Sequence, residues 1–434
     1  MNLWKNNYPI IVSCAKGLSP LTAAEMKKMG YKLIEETENT VVTRGGMRDI
    51  MRLNLYLRTA HRVLAPLLRT ECRNLHELYE AAYSIDWENL LDADGYFTVS
   101  NVVHNSTIRD TRLPSLATKD AIADRMRVHC GGARPNSGHE NIGAAVFVYW
   151  EGRQVIFYLD TSGEPLSKRG YRKMPGPAPL QETLAAGCVL ASGWDGNSTF
   201  VGPMCGSGTP AIEAALYALN RAPGSFKSHF AFMSLKGYTN IIPGEKAPRV
   251  NRRNRIGATP EQIWKDMVLE AAENERKAPM PKIIATDIDP AAVEIAHFNA
   301  IAAGVSEYIE FGTCDFADTQ VPPAPGVCFM NPAYGERLGA EDDLSALYKR
   351  IGDFFKHRCT GYTGCVLTGN MELSHKVGLR SKKRVPFFNG PIECRMMVYD
   401  LYAGCENETP DEAQPRLNQP KPDPIEDASE NFAV

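Results

Sequence analysis

The stretch STFVGPMCGSGTPAIEAALYALN, residues 198–220, decides the fold. STFV is a short apolar run of strand character, and TPAIEAALYALN is a helix with Pro210 in its first turn, where proline is tolerated. Between them lies GPMCGSGT, 202–209. Gly206 and Gly208 let a backbone approach a ligand closely, and the helix start offers free N–H groups. A strand, a glycine turn and a helix in that order form the first unit of an open α/β sheet, which binds ligands at its strands' carboxyl ends. Alone, the turn is equally compatible with a purely structural bend.

Downstream the alternation continues. KIIATDID reads as a strand, PAAVEIAHFNAIAAG as a helix, and YIEFGTCDF, GVCFMNP and GCVLTGN as strands. LSALYKRIGDFFKH is a helix between the last two, and VPFF and CRMMVYDLY flank a hairpin-like turn at Asn389-Gly390. This pattern predicts a doubly wound, mostly parallel sheet ending in an antiparallel hairpin. Residues 221–280, with the basic cluster APRVNRRNR (247–255), are less regular and read as an insertion. Upstream, the Pro-rich YRKMPGPAPL (171–180) marks a boundary. Before it, two small α/β layers follow one another, 1–65 and 66–170, an accessory module in character. In the first, MRDIMRLNLYLRTAHRV (47–63) reads as one helix.

Composition narrows the class. The chain has 434 residues, 44% apolar and 23% charged, an ordinary globular balance. No run of eighteen apolar residues suggests a membrane span, and the start MNLWKNNYPIIVSC lacks the pattern of a secretory leader. Eleven cysteines without a C-x-x-C pair suit reduced thiols in a cytoplasmic protein, and the histidines show no metal-ligand spacing, so no metal is expected. Net charge is −3. Residues 405–434, with five prolines, eight acidic and two basic residues, carry −6 and read as a disordered tail. The body, 1–404, is left at +3, which permits phosphate contacts without demanding them.

Four motifs fall at successive strand ends. After the glycine turn comes ATDID, where Asp287 can accept from ribose hydroxyls while Asp289 is better placed to cap the next helix. In CDF, Asp315 can accept from an adenine amino group or make an Asx turn. NPAYGERLG (331–339) joins an amide, a fixed carbonyl and an aromatic ring. A nucleobase amine is a poor nucleophile because its lone pair is delocalised. Acceptors at the Asn331 side chain and the Pro332 carbonyl would favour the tetrahedral nitrogen that develops on attack. Tyr334 could stack on an extruded base. Asn331 could instead cap a helix. The order of all four argues against chance.

Taken together, GPMCGSGT, TDID, CDF and NPAYGERL resemble the Rossmann-type, S-adenosylmethionine-dependent RNA methyltransferases that carry an N-terminal THUMP domain. DTSGEPLSKRGYR (160–172), APLQETLAAG (178–187) and FFNGPIECRMMVYDL (387–401) are similar to the bacterial 23S rRNA guanine-N2 branch. The resemblance covers roughly 8–403. It implies a ferredoxin-like segment (1–65), a THUMP RNA-binding domain (66–170) and a methyltransferase domain (171–404) that methylates guanine N2. It assigns the methionine part of S-adenosylmethionine to Cys205, Gly206, Ser207 and Gly208, the ribose to Asp287 and the adenine to Asp315. Leu180, Thr183, Pro203, Thr209, Ile288 and Asn331 would also line the pocket, and Asn331, Pro332 and Tyr334 would hold the target base. Read from the residues themselves, Lys168, Arg169, Arg172 and Lys173 before the hinge and Lys382 and Lys383 before the hairpin could contact RNA phosphates or equally form solvated charged faces. The RNA partner is 23S rRNA or a pre-50S particle, with tRNA as the rival substrate. Two positions depart from the family. Gly202 stands where an acid is usual, with Glu182 as a compensating candidate, and Ala333 stands where a second proline is usual. They motivate a further rival, a weakened RNA-binding assembly factor.

Overall fold

The computed structural model describes residues 4, 7–106, 108–140, 142–174, 176, 179–241, 257–277, 279–332 and 341–402, without the side chains of 341–343. The N-terminal half contributes β1 (Tyr8–Cys14), α1 (Ser19–Lys28), β2 (Glu35–Glu36), β3 (Thr40–Gly45), α2 (Met47–Tyr56) and β4 (Ala60–Glu71). It continues with α3 (Leu75–Tyr83), β5 (Tyr96–His104), α4 (Leu113–His129), β6 (Asn136–Gly138), β7 (Ala144–Glu151) and β8 (Gln154–Asp160). These strands form one eight-stranded sheet in the order β2-β3-β1-β4-β8-β7-β5-β6.

Here the structure corrects the expected helix over 47–63. It ends at Tyr56, and residues 60–71 are the strand that joins the two expected layers, pairing with β1 on one side and β8 on the other. Pro66 hid this strand, because proline lacks the N–H a central strand needs. The register shift between Pro66 and Leu68 accommodates it.

The second half runs α5 (Glu182–Ala191), β9 (Thr199–Pro203), α6 (Thr209–Ala218), α7 (Pro260–Glu273), β10 (Ile283–Asp287), α8 (Pro290–Ala302), β11 (Ile309–Thr313) and β12 (Gly326–Met330). It closes with α9 (Glu341–Arg358), β13 (Tyr362–Thr368), α10 (Met371–Lys376), β14 (Lys383–Asn389) and β15 (Ile392–Asp400). Its sheet has the order β11-β10-β9-β12-β13-β15-β14. The first five strands are parallel, and the β14–β15 hairpin adds antiparallel, as the sequence predicts.

Neighbouring residues on each strand face opposite layers. Phe200, Ile283, Val327, Cys365 and Met396 pack under α5, α6 and α8, whereas Val201, Ile284, Cys328, Val366 and Met397 pack under α9 and α10. The chain visits β10 and β11 on one side of β9 and then returns to β12 on the other. The crevice beyond the ends of β9 and β12 is therefore the switch point where such sheets bind ligands.

The insertion has a structural task. Phe230, Phe232, Trp264 and Met267 join the core of the first sheet, with Phe230 and Phe232 each 5.2 Å from the Trp264 ring. In return, Leu18 of the N-terminal half packs in the α5–α6 layer. The basic cluster 247–255 and the tail lie outside the described residues.

Candidate active site

β9 ends in a turn whose backbone departs from ordinary geometry three times in five residues. Met204, Gly206 and Gly208 have φ of 61°, 52° and 80°. Glycine adopts this region freely, whereas Met204 holds it at a cost of about 1–3 kcal/mol. A Cβ on Gly208 would lie 2.8 Å from the Ala296 methyl group, so glycine lets the turn close onto α8. A Cβ on Gly206 would meet nothing within 4 Å, which leaves that backbone open to a ligand.

Asp287, at the tip of β10, braces the turn. Its Oδ2 accepts from Gly206 N–H at 2.9 Å and its Oδ1 from Asp289 N–H at 3.1 Å. Asp289 caps α8 by accepting from Ala291 N–H at 2.9 Å, as the sequence suggests. Ile288 beside them is 71% exposed, an apolar surface at a strand tip. The Cys205 thiol is pushed up to about 12, mainly by burial and further by the Asp287 charge. It stays protonated and is no nucleophile.

Asp315 makes the Asx turn, accepting from Ala317 N–H at 2.9 Å. It also pairs with Arg350 of α9 at 2.7 Å, and that guanidinium lies 4.8 Å from the Phe316 ring centroid. The Arg350 hydrogen bond holds the Asp315 carboxyl below its ordinary value, so it is an acceptor at neutral pH. Sequence reasoning missed Arg350, because nothing near it resembles a motif.

Asn331 follows β12. β12 runs parallel to β9 and pairs with it as far as Cys328 opposite Val201, so Asn331 and the glycine turn leave the sheet at the same edge. Its Oδ1 is buried and has no hydrogen-bond partner among the described residues. Such an orphan costs about 1–3 kcal/mol and marks a place for a donor. Pro332 is buried next to it. Tyr334 and Ala333 lie outside the described residues.

Leu180 and Thr183, expected beside the cofactor, are buried at 4% and 1% exposure. Ser207 and Thr209 are buried in the turn, their hydroxyl oxygens 3.3 Å apart. Asn299 of α8 was also missed. Its Oδ1 accepts from the N–H groups of Lys173 and Met174 at 3.0 and 3.1 Å, and its Nδ2 donates to the Ser207 carbonyl at 3.3 Å. A lone amide within the apolar PAAVEIAHFNAIAAG was the available signal.

Two expected RNA contacts are corrected. Arg169 is 1% exposed and faces Glu213 of α6 at 3.4 Å. Arg172 faces Glu182 at 3.2 Å with its side chain 15% exposed. Both are committed inside the protein, because buried carboxylates meet them there. Glu182, the candidate for the acid missing at Gly202, faces Arg172, and burial pushes its carboxyl above the ordinary value. Lys168, Lys173, Lys382 and Lys383 are exposed, with Lys168 3.6 Å from Glu164 and Lys382 2.9 Å from Asp400.

The glycine turn open at Gly206, the carboxylates of Asp287 and Asp315, exposed Ile288 and the orphaned Asn331 oxygen share one sheet edge. This donor and acceptor set fits an adenosyl cofactor. Gly206 admits a charged group to bare backbone, and the two acids suit hydroxyl and amino donors.

An RlmL ferredoxin-like domain matches 9–64, a THUMP domain 72–160, and an RMKL-like methyltransferase domain 169–398. Between the first two, β4 runs unbroken. The chain is 36% identical over 400 residues to the ribosomal RNA large subunit methyltransferase K/L of Psychromonas ingrahamii, covering 90% of this chain and 50% of the relative. It is 33% identical over 392 residues to the namesake from Methylococcus capsulatus, covering 89% and 50%. The chain thus spans about half the length of these curated relatives. The crystal structure of SMU.472 complexed with SAH superposes with a TM-score of 0.78 at 26% identity, covering 93% of this chain and all of that one. With that domain matched over more than half of its length, this chain belongs to the RMKL-like methyltransferase domain family.

Proposed function

We propose that this chain transfers a methyl group from S-adenosylmethionine to the exocyclic N2 amine of a guanine in RNA, with 23S rRNA, free or in a pre-50S particle, as substrate and the cytoplasm as its place of work. The single observation that carries the chemistry is the buried Asn331 Oδ1, unpartnered among the described residues, at the sheet edge it shares with the glycine turn. The relatives' names, ribosomal RNA large subunit methyltransferase K/L, and the THUMP match support the substrate class.

When bound, the cofactor supplies an electrophilic methyl group on a sulfonium. The chain's own residues do the rest. The turn at Cys205–Gly208, with Pro203, Thr209, Leu180 and Thr183 around it, holds the methionine end. Asp287 and Ile288 take the ribose side, and Asp315 accepts from the adenine amine. Asn331 Oδ1 and the Pro332 carbonyl accept the two N2 hydrogens, drawing the lone pair out of the ring as attack begins. Tyr334 stacks on the extruded base. No general base is needed at the start, because the amine proton becomes acidic only once the methyl group is in place. RNA phosphates meet the exposed Lys168, Lys173, Lys382 and Lys383, and Arg169 and Arg172 are withdrawn from that role.

The test is a map of missing modifications in total RNA from a deletion strain. The expected result is one N2-methylguanine absent from 23S rRNA, restored by the wild-type chain and not by Asn331→Ala. A gap in tRNA instead would move the substrate to the rival class. No gap at all would favour the assembly-factor reading that Gly202 motivates.

A further inference from the structure

The segment Arg169-Gly170-Tyr171-Arg172 lies along one face of α6, and its two arginines end on carboxylates instead of solvent. Thr209 and Glu213 are one turn apart on that helix, so they share the face. At the Glu213 end, Arg169 Nε lies 3.4 Å from Oε1, and the Tyr171 hydroxyl donates to the same oxygen at 2.9 Å. Arg169 also donates to the carbonyls of Leu166 and Arg58, the latter in the N-terminal half. At the Thr209 end, Arg172 Nη2 donates to the Leu180 carbonyl at 2.6 Å and to the Thr209 hydroxyl at 3.1 Å. Its Nε faces Glu182, the first residue of α5, at 3.2 Å. The next two residues, Lys173 and Met174, are held by Asn299, which also grips Ser207.

One guanidinium therefore hydrogen-bonds two separate pieces of the proposed pocket wall, the start of α6 and the 180 segment, and lies within ion-pair distance of a third, the start of α5. A planar fork reaches these at once, and a point charge does not. We propose that Arg172 is a positioning residue that fixes the spacing between the Leu180–Thr183 wall and the glycine turn, and so sets cofactor affinity without touching RNA. This rests on the cofactor reading above.

The experiment uses the full chain. Calorimetry with S-adenosylhomocysteine measures cofactor affinity, and filter binding measures RNA affinity, for wild type, Arg172→Ala and Arg172→Lys. Arg172→Ala should weaken S-adenosylhomocysteine binding by about tenfold or more while RNA affinity stays within about twofold. Arg172→Lys should recover part of the loss, since it restores the charge opposite Glu182 but not the fork. A folded Arg172→Ala that binds S-adenosylhomocysteine like wild type overturns the proposal. So does a loss confined to RNA, which would return Arg172 to a phosphate-contact role. If Arg172→Ala does not fold, Glu182→Gln decides. Weaker cofactor binding there supports the proposal, and unchanged binding rejects it. If wild type itself fails to bind S-adenosylhomocysteine, the cofactor reading falls and takes this proposal with it.

Discussion

Three residues of the proposed site make opposite demands on a side chain. Asn331 needs its oxygen. Asn331→Ala should lower kcat by about 10²- to 10³-fold, measured by methyl incorporation into RNA, since it removes an acceptor used as charge develops. Retention of most of the rate would show that the buried oxygen has no part in the chemistry. Gly208 needs the absence of a side chain. A Cβ there meets Ala296 at 2.8 Å and its Cα at 3.1 Å, on a backbone at φ 80°. Gly208→Ala should lower the melting midpoint and abolish S-adenosylhomocysteine binding in a thermal-shift titration. Gly202 tolerates one. A Cβ would sit 3.7 Å from the Ile284 carbonyl oxygen and 3.8 Å from the Phe200 ring, ordinary contacts. Supplying the acid that the resemblance leads one to expect, with Gly202→Asp, should tighten S-adenosylhomocysteine binding by about threefold or more through a charge-assisted contact. Weaker binding would mean the chain has adapted to the glycine.

At the scale of elements, legibility followed periodicity. Strands of the second sheet were readable because they are short apolar runs, four of them ending in a chemical motif, with helical spacing between them. β4 was not, because Pro66 breaks the strand pattern and a bulge repairs it only in three dimensions. The strap from Arg169 to Arg172 was legible as a basic cluster and misread as a surface. Burial depended on Glu213 and Glu182, whose approach no local pattern announces. Charge pairs between elements also set pH dependence. Arg125 of α4 binds both oxygens of Glu88 at 2.8 Å and holds its carboxyl at about 2, below the ordinary 4.5. A carboxyl lowered on folding stabilises the protein above its unfolded value. That contribution, up to about 1 kcal/mol, fades as pH falls from 4.5 toward 2. Glu88→Gln should therefore be less stable than wild type in urea at pH 7, and the gap should close toward the acid end. A gap independent of pH would assign the loss to packing. Glu213→Gln, which leaves Arg169 facing no charge, should cost about 3–5 kcal/mol by the same measurement.

Over the whole molecule, the two halves complete one another. Phe230, Phe232, Trp264 and Met267 come from the second half of the sequence yet fill the first core, while Leu18 does the reverse. A fragment limited to 169–404 would expose that aromatic cluster, and should aggregate or bind a hydrophobic dye where the full chain does not. A soluble, monodisperse fragment would show that the insertion folds without its partner sheet. The interlock includes a hydrogen bond between the halves, the Arg58 carbonyl accepting from Arg169. The central claim is that those tips hold a methyl donor next to an extruded guanine. The most direct measurement is nucleoside mass spectrometry of unmodified 23S rRNA incubated with the purified chain and S-adenosylmethionine. The account predicts N2-methylguanine with wild type and none with Asn331→Ala. A methyl group on another base, or no methylated nucleoside from a chain that binds S-adenosylhomocysteine, would contradict it.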